Sequence, residues 1–310
     1  MIAYYAKRSA GEEFTKVHAP LDTGVWVDCS NASDSELDTL VNRYKLDANI
    51  VYDVRDRQEL PRVELSRGTM YVFMRVPHRA KSGNITSLPL LCILTGTTFI
   101  TASIGDTIAP DSLRLSTVPV TTDHTQTLLL GVIAGSISEF EKLIKHTARS
   151  INDTANRLRT HEITNRDFIH FVTVEENLNH YKLNLDSTLV AVKRLRENHS
   201  DSLSRDSEEV LDDIILHIQQ LLVAVTSHRQ SVDSIRNAYS TVANNALSQR
   251  MKTLTVFTVL IALPNVFYGM YGMNVVLPFA KEPWAYVAVV GFSLFMIIVV
   301  FTIAKRLRIF

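Results

Sequence analysis

The chain has 310 residues, and its 32 lysines and arginines are balanced by 32 aspartates and glutamates, giving a formal net charge of zero. That length accommodates two domains, and the neutral balance excludes the global basic field on which nucleic-acid binding relies, so no nucleic-acid partner is expected. The two cysteines, Cys29 and Cys92, lie far apart in Val/Leu/Ile-rich settings. This predicts buried free thiols in a reducing compartment, not a disulfide or a metal site.

The N-terminus reads Met1-Ile2-Ala3-Tyr4-Tyr5 and soon carries Lys7, Arg8, Glu12 and Glu13. It lacks the apolar stretch of a signal peptide, so roughly the first 250 residues are expected to stay cytosolic. Residues 1–125 read as a mixed α/β domain. Val25 and Val27 before Ser30 mark a short strand, and residues 33–46 a helix, with Ser33 as N-cap and Glu36 at the capping-box position. Residues 70–76 and 88–102 are rich in Val, Ile, Leu, Phe and Thr, interrupted by Ser82-Gly83-Asn84 and by Gly96. Paired strands joined by turns follow, in a small sheet with flanking helices whose topology the sequence does not specify.

Residues 126–252 are expected to form long cytosolic helices, including a stalk. No proline or glycine occurs from 136 to 263, which favours helices over strands and turns. Polar clusters at 161–166 and 197–207 are the places where one helix frays and the next is capped, so three helical stretches are predicted. In the last, Leu211, Ile218, Val225, Val232, Tyr239 and Ala246 recur every seven residues, with Ile214, Leu221, Ile235 and Val242 three positions on and His228 as the polar exception. This is a helix-packing seam, serving either neighbours in the same chain or other copies. Nothing breaks the helix before the apolar run that follows, so it is expected to continue from about 207 to 269, ~95 Å on the 1.5 Å rise.

Residues 253–271 and 284–304 contain no charged side chain, and each is long enough to cross a hydrocarbon core of ~30 Å. Tyr268, Tyr271, Trp284 and Tyr286 cluster at one common boundary like an interfacial belt. Arg250 and Lys252 precede the first span and Lys305, Arg306 and Arg308 follow the second, against Lys281 alone in the connecting loop. Both termini are therefore expected in the cytoplasm of a multi-pass protein of the cell membrane. Residues 272–283 then form an extracellular loop, and 305–310 a basic cytosolic tail.

Polar groups in a span are costly unless they face protein or water. On the first span Asn265, Ala262 and Thr258 share a face that Leu254 and Met251 continue inward. If several copies surround an axis, this stripe lines it, with Leu254 and Met251 as a hydrophobic gate. The competing reading for Thr258 is a hydroxyl bonded to the carbonyl one turn back.

Met251-Lys252 with Leu254-Thr255 at the inner end of the span, Pro264 within it, Gly269 near its end and Tyr271-Gly272-Met273-Asn274 immediately after, then a second apolar span and a basic tail, resemble the CorA family of divalent-cation channels. The resemblance implies a funnel-shaped homopentamer of α+β cytosolic domains with long stalk helices and two C-terminal transmembrane helices, the first lining the pore. Magnesium is then the transported and regulatory ion, with no further cofactor and no enzymatic activity. Tyr271, Gly272, Met273 and Asn274 form the entrance. Mg²⁺ dehydrates reluctantly, and a ring of Asn274 amides can hold the hydrated ion through its waters. Asp53, with Pro61-Arg62-Val63-Glu64, and Asp213, with His217, resemble the family's sensing regions. The resemblance implies that magnesium bridges Asp53 of one subunit to Asp213 of the next. The chain departs from the pattern at Ser248, where the family often has asparagine, and at Tyr52, where an acidic neighbour is common. Two rival readings are the same fold carrying zinc, cobalt or nickel, and a membrane-tethered coiled-coil scaffold. No phosphate loop, paired-histidine motif or nucleophile elbow is present.

Overall fold

The computed structural model describes residues 2–9, 12–17, 24–79, 85–105, 120–159, 165–199, 205–273 and 282–306. They divide into two compact units, 1–233 and 234–310.

The first unit is built on a seven-stranded sheet: β1 (Ile2–Ala6), β2 (Thr15–Val17), β3 (Val25–Cys29), β4 (Arg62–Ser66), β5 (Thr69–Arg79), β6 (Ile85–Leu94) and β7 (Thr98–Ser103). The spatial order is β2-β1-β3-β7-β6-β5-β4. Neighbours are antiparallel except at the centre, where β3 and β7 run parallel with Val25 beside Thr98 and Cys29 beside Ala102. Strands β3, β5, β6 and β7 match the predicted apolar runs. β1, β2 and β4 were not legible: β2 and β4 are short and largely polar, and β1, five residues of Ile, Ala and Tyr, is too short for its pattern to declare a strand. β4 joins β5 through Arg67 and Gly68, both at positive φ (51° and 79°), the two-residue turn whose twist matches paired strands.

Both faces of the sheet are covered, which explains near-continuous apolar strands where a half-exposed sheet would alternate. On one face Val25, Val27, Cys29, Tyr71, Phe73, Leu91, Ile93 and Ile100 pack with Leu37 and Leu40 of α1 (Asp34–Tyr44) and Ile50 and Val51 of α2 (Ala48–Tyr52). Helix α1 starts as predicted, with the Ser33 amide and hydroxyl both donating to Glu36 Oε2, at 3.0 and 2.9 Å. It ends two residues earlier than predicted, because Lys45 turns left-handed (φ 53°) and the Leu46 amide donates back to the Val41 carbonyl.

The other face carries Trp26, Asp28, Val72, Met74, Cys92 and Thr101. Helices α3 (Thr125–Arg159) and α4 (Asn165–His199) cover it, and Ile133, Ala191, Val192 and Leu195 line one small void with Val72 and Met74. A buried polar group sits in this layer: Thr101 Oγ1 accepts from Trp26 Nε1 at 2.9 Å and donates to Asp28 Oδ1 at 2.8 Å. Burial raises the Asp28 carboxyl above its usual range, against the opposing hydrogen bonds from Ser30 and Thr101. Both cysteines are buried and free, as predicted.

The third long helix, α5 (Arg205–Tyr271), runs unbroken for 67 residues with Pro264 inside it. The seam predicted along it behaves in two ways. Leu211, Ile214, Ile218, Leu221, Val225 and Val232 are buried within this chain. Ile235 and Tyr239 are half-buried, and Val242 and Ala246 lie exposed. The change falls where the first compact unit ends. Up to Val232 the seam therefore serves the chain's own helices.

In the second unit α5 pairs with α6 (Ala285–Arg306), the rings of Phe267 and Phe292 meeting edge-on at 5.1 Å. The most apolar stretches of α5 and α6 have mean hydropathies of 1.6 and 2.8, yet only 6% and 11% of them is buried within the chain. A soluble core helix of that composition is covered by its own protein. These two are long and apolar enough to cross a bilayer, and almost bare.

Candidate ion path and acidic sites

At ~100° per residue, Met251, Leu254, Thr258, Ala262 and Asn265 fall within about 80° of arc on α5. All five are exposed. Phe267, whose ring meets Phe292 of α6, and the buried Val256 lie on the opposite side. The stripe is thus free of the chain's own second span. The Thr258 hydroxyl donates to the Leu254 carbonyl at 2.9 Å, the local bond that competes with pore lining; its oxygen keeps its lone pairs as acceptors. The Asn265 amide has no hydrogen-bond partner among the described residues. An amide left so in an apolar span demands protein or water opposite.

Helix α5 closes at Tyr271. The Gly272 amide donates to the Tyr268 carbonyl and the Met273 amide to that of Met270, at 3.0 and 3.2 Å. A Cβ at Gly272 would stand 3.3 Å from the Tyr268 oxygen and 3.5 Å from that of Gly269, so glycine gives this exit its tight bend. Tyr271, Gly272 and Met273 are exposed. Asn274 lies outside the described residues.

Asp53 opens a single 3₁₀ turn, Asp53–Arg55, directly after α2. Its Oδ2 accepts from Arg62 Nη2 at 2.6 Å. Arg62, at the start of β4, also pairs with Glu59 and Glu64 and lies over the Phe73 ring, 4.2 Å from its centroid. The proposed motif residues Asp53, Arg62 and Glu64 are therefore one ion-paired group. Asp213 is exposed on α5 and unpaired among the described residues. Its neighbour Asp212 binds Arg196 Nε and Nη2 at 2.9 and 3.0 Å. His217 does not join Asp213: its Nε2 lies 3.3 Å from Glu141 Oε2 on α3. Lys145 chiefly, and then His217, hold the Glu141 carboxyl below its usual range. Among the described residues no three His, Cys, Asp or Glu side chains gather as a metal site, and Asp53 and Asp213 are not brought together.

Sequence reasoning missed Glu59, Glu141 and a buried network around Arg75. One signal was present: Arg75 stands between Met74 and Val76 in an otherwise apolar strand.

The sequence profile of the CorA-like Mg2+ transporter protein family matches residues 22–306. The chain belongs to this family. It is 21% identical over 293 residues to the cobalt/magnesium transport protein CorA of Methanocaldococcus jannaschii, covering 91% of this chain and 90% of that one. The complete structure of the CorA magnesium transporter from the same organism superposes with a TM-score of 0.86 at 18% identity, over 99% of this chain and 98% of the other. The full-length CmaX protein superposes with a TM-score of 0.75 at 13% identity over 97% of each chain. These superpositions establish a CorA fold: an α+β domain, a long helix and C-terminal apolar helices. CorA-like proteins are membrane-embedded divalent-cation transporters and not enzymes.

Proposed function

We propose that this chain is one subunit of a homopentameric, funnel-shaped magnesium channel of the cell membrane, with both termini in the cytoplasm. Magnesium is its cargo and its regulator. Helix α5 lines the pore, α6 surrounds it, and an Asn274 ring at the outer mouth holds the hydrated ion. The single observation that carries this reading is the α5 stripe. It faces away from α6, runs from Met251 and Leu254 through Thr258 and Ala262 to Asn265, and leads directly into Tyr271-Gly272-Met273-Asn274.

Several such stripes around an axis enclose a path with carboxamides outward and a dry constriction inward. Closed, the Met251 and Leu254 rings exclude water; splayed, they wet. Splaying is assigned to the loss of magnesium between Asp53 of one subunit and the exposed Asp213 of its neighbour, which leaves two carboxylates to repel. Asp213 is free for such a bridge, whereas Asp53 must exchange Arg62 for the metal.

The test is uptake into proteoliposomes of magnesium, cobalt and zinc in turn, comparing the native chain with Asn274→Ala. Loss of magnesium uptake in the variant supports the ring; unchanged uptake removes the selectivity assignment. Cobalt is the competing cargo because the archaeal relative is named for both ions. Cobalt uptake exceeding that of magnesium would favour that reading.

A further inference from the structure

On β5, two residues after Phe73, Arg75 is a buried guanidinium whose donors go to carbonyls and a hydroxyl. Arg75 Nε donates to Ser87 Oγ at 2.8 Å, Nη2 to the Ser87 carbonyl at 2.7 Å, and Nη1 to the carbonyls of Arg57 and Glu59 at 2.9 and 2.8 Å. Ser87 Oγ donates onward to Asn184 Oδ1 on α4 at 3.4 Å, and Asn184 Nδ2 lies 2.8 Å from His180 Nδ1. Arg75, Ser87 and Asn184 are buried and His180 is half-buried.

Chemistry fixes the direction of this chain. A guanidinium only donates, so Ser87 Oγ accepts from Arg75 and gives its own proton to Asn184 Oδ1. The amide then turns its Nδ2 toward His180, whose Nδ1 must offer a lone pair. The ring is neutral, with its proton on Nε2. A second proton, on Nδ1, would set two N–H groups against each other across 2.8 Å. Flipping the amide offers no escape. It would place a second donor on Ser87 Oγ and leave the serine proton without this acceptor in a buried site.

We propose that His180 and Asn184 form a proton-operated latch, which clasps α4 to β5 and β6 while the imidazole is neutral and releases it when the ring is protonated. Through the carbonyls of Arg57 and Glu59 that Arg75 also holds, release reaches the segment that follows the Asp53 turn. Burial first, and then Arg75, push His180 below the ordinary histidine value, so the latch is closed at neutral pH. Among the elements packed on α4, Arg75 of β5 is the charge that acts on the ring. Arg62 and Glu64 of β4 pair with each other, as do Glu139 with Lys142 and Glu141 with Lys145 of α3. On α4 itself Glu176 lies one turn before the ring, and Lys182 pairs with Asp186.

The test is hydrogen exchange of the full chain in lipid nanodiscs, corrected for intrinsic rates, at about pH 7.5 and at a pH below the His180 midpoint located by histidine NMR. Protection of the α4 amides around 178–188 is expected to fall about ten-fold in acid in the native chain and to persist in His180→Gln, whose amide oxygen accepts from Asn184 without titrating. Equal protection at both pH values in the native chain, or the same loss in the variant, overturns the proposal. Asn184→Asp gives a second, independent reading by histidine NMR. A carboxylate there accepts from Ser87 and from a protonated ring, so His180 should titrate well above its native midpoint; an unmoved midpoint also overturns the latch. Neither readout depends on transport.

Discussion

Truncating Ile218 to alanine tests whether the inner half of the α5 seam belongs to the chain's own core. Ile218 is fully covered. Removing its buried methyl and methylene groups, with the cavity left behind, costs about 2–5 kcal/mol. Five residues on, Val223 is 71% exposed on the same helix, and Val223→Ala should cost under about 0.5 kcal/mol. For a unit of 233 residues, about 2–4 °C per kcal/mol makes the first loss roughly 4–20 °C in melting temperature and the second under about 2 °C. Trp26 is fully buried and Trp284 exposed, so the shift of tryptophan emission on heating reports the first unit directly. Equal shifts for the two variants would refute the assignment, because the seam would then be closed by other copies and not by α3 and α4.

Arg75→Met should cost about 2–4 kcal/mol, since the carbonyls of Arg57, Glu59 and Ser87 lose their donor in a buried place; limited proteolysis should then cut first near 57–61. Glu141→Gln should remove no more than about 1 kcal/mol at neutral pH, the pair being partly exposed. The native Glu141 carboxyl is depressed, so its contribution is present above the usual carboxylate value and lost as pH falls through the lowered one; denaturant melts of the variant should lack that acid slope. Burial pushes the Cys29 thiol up to about 11 and the Cys92 thiol up as well, so maleimide at about pH 8 should leave both unlabelled until denaturant is added. Leu254→Ser should let ions leak under inhibiting internal magnesium, measured as uptake at saturating magnesium; uptake still blocked would remove Leu254 from the constriction.

The helical half of the chain was readable because breakers are scarce there. The glycine-free run located three helices, although the first begins eleven residues upstream and passes through Gly131 and Gly135, which packing against the sheet outweighs. The strands with apolar residues on both faces were legible for the same reason that they are buried. β2 and β4 lacked that pattern, β1 was too short to declare it, and the one clue to β4, Arg67-Gly68, lacks the Asn or Asp that usually announces such a turn. Periodicity alone could not tell which partner closes the α5 seam, since Val225 and Val242 look alike in sequence and only their surroundings separate them. The resemblance grouped His217 with Asp213, but Glu141 on another helix takes it.

The parallel pairing of β3 with β7 also governs how the protein is made. Val25 must wait for Thr98, so the middle of the sheet cannot zip until the intervening helices and three further strands have emerged. Such non-local closure is slow and leaves strand edges open to wrong partners. The hairpins β4–β5, β5–β6 and β6–β7 are local by comparison, and form a platform on which the N-terminal strands can dock. During synthesis the sheet is complete in sequence long before the two apolar helices leave the ribosome, so insertion into the bilayer can begin with the first unit's strands already paired.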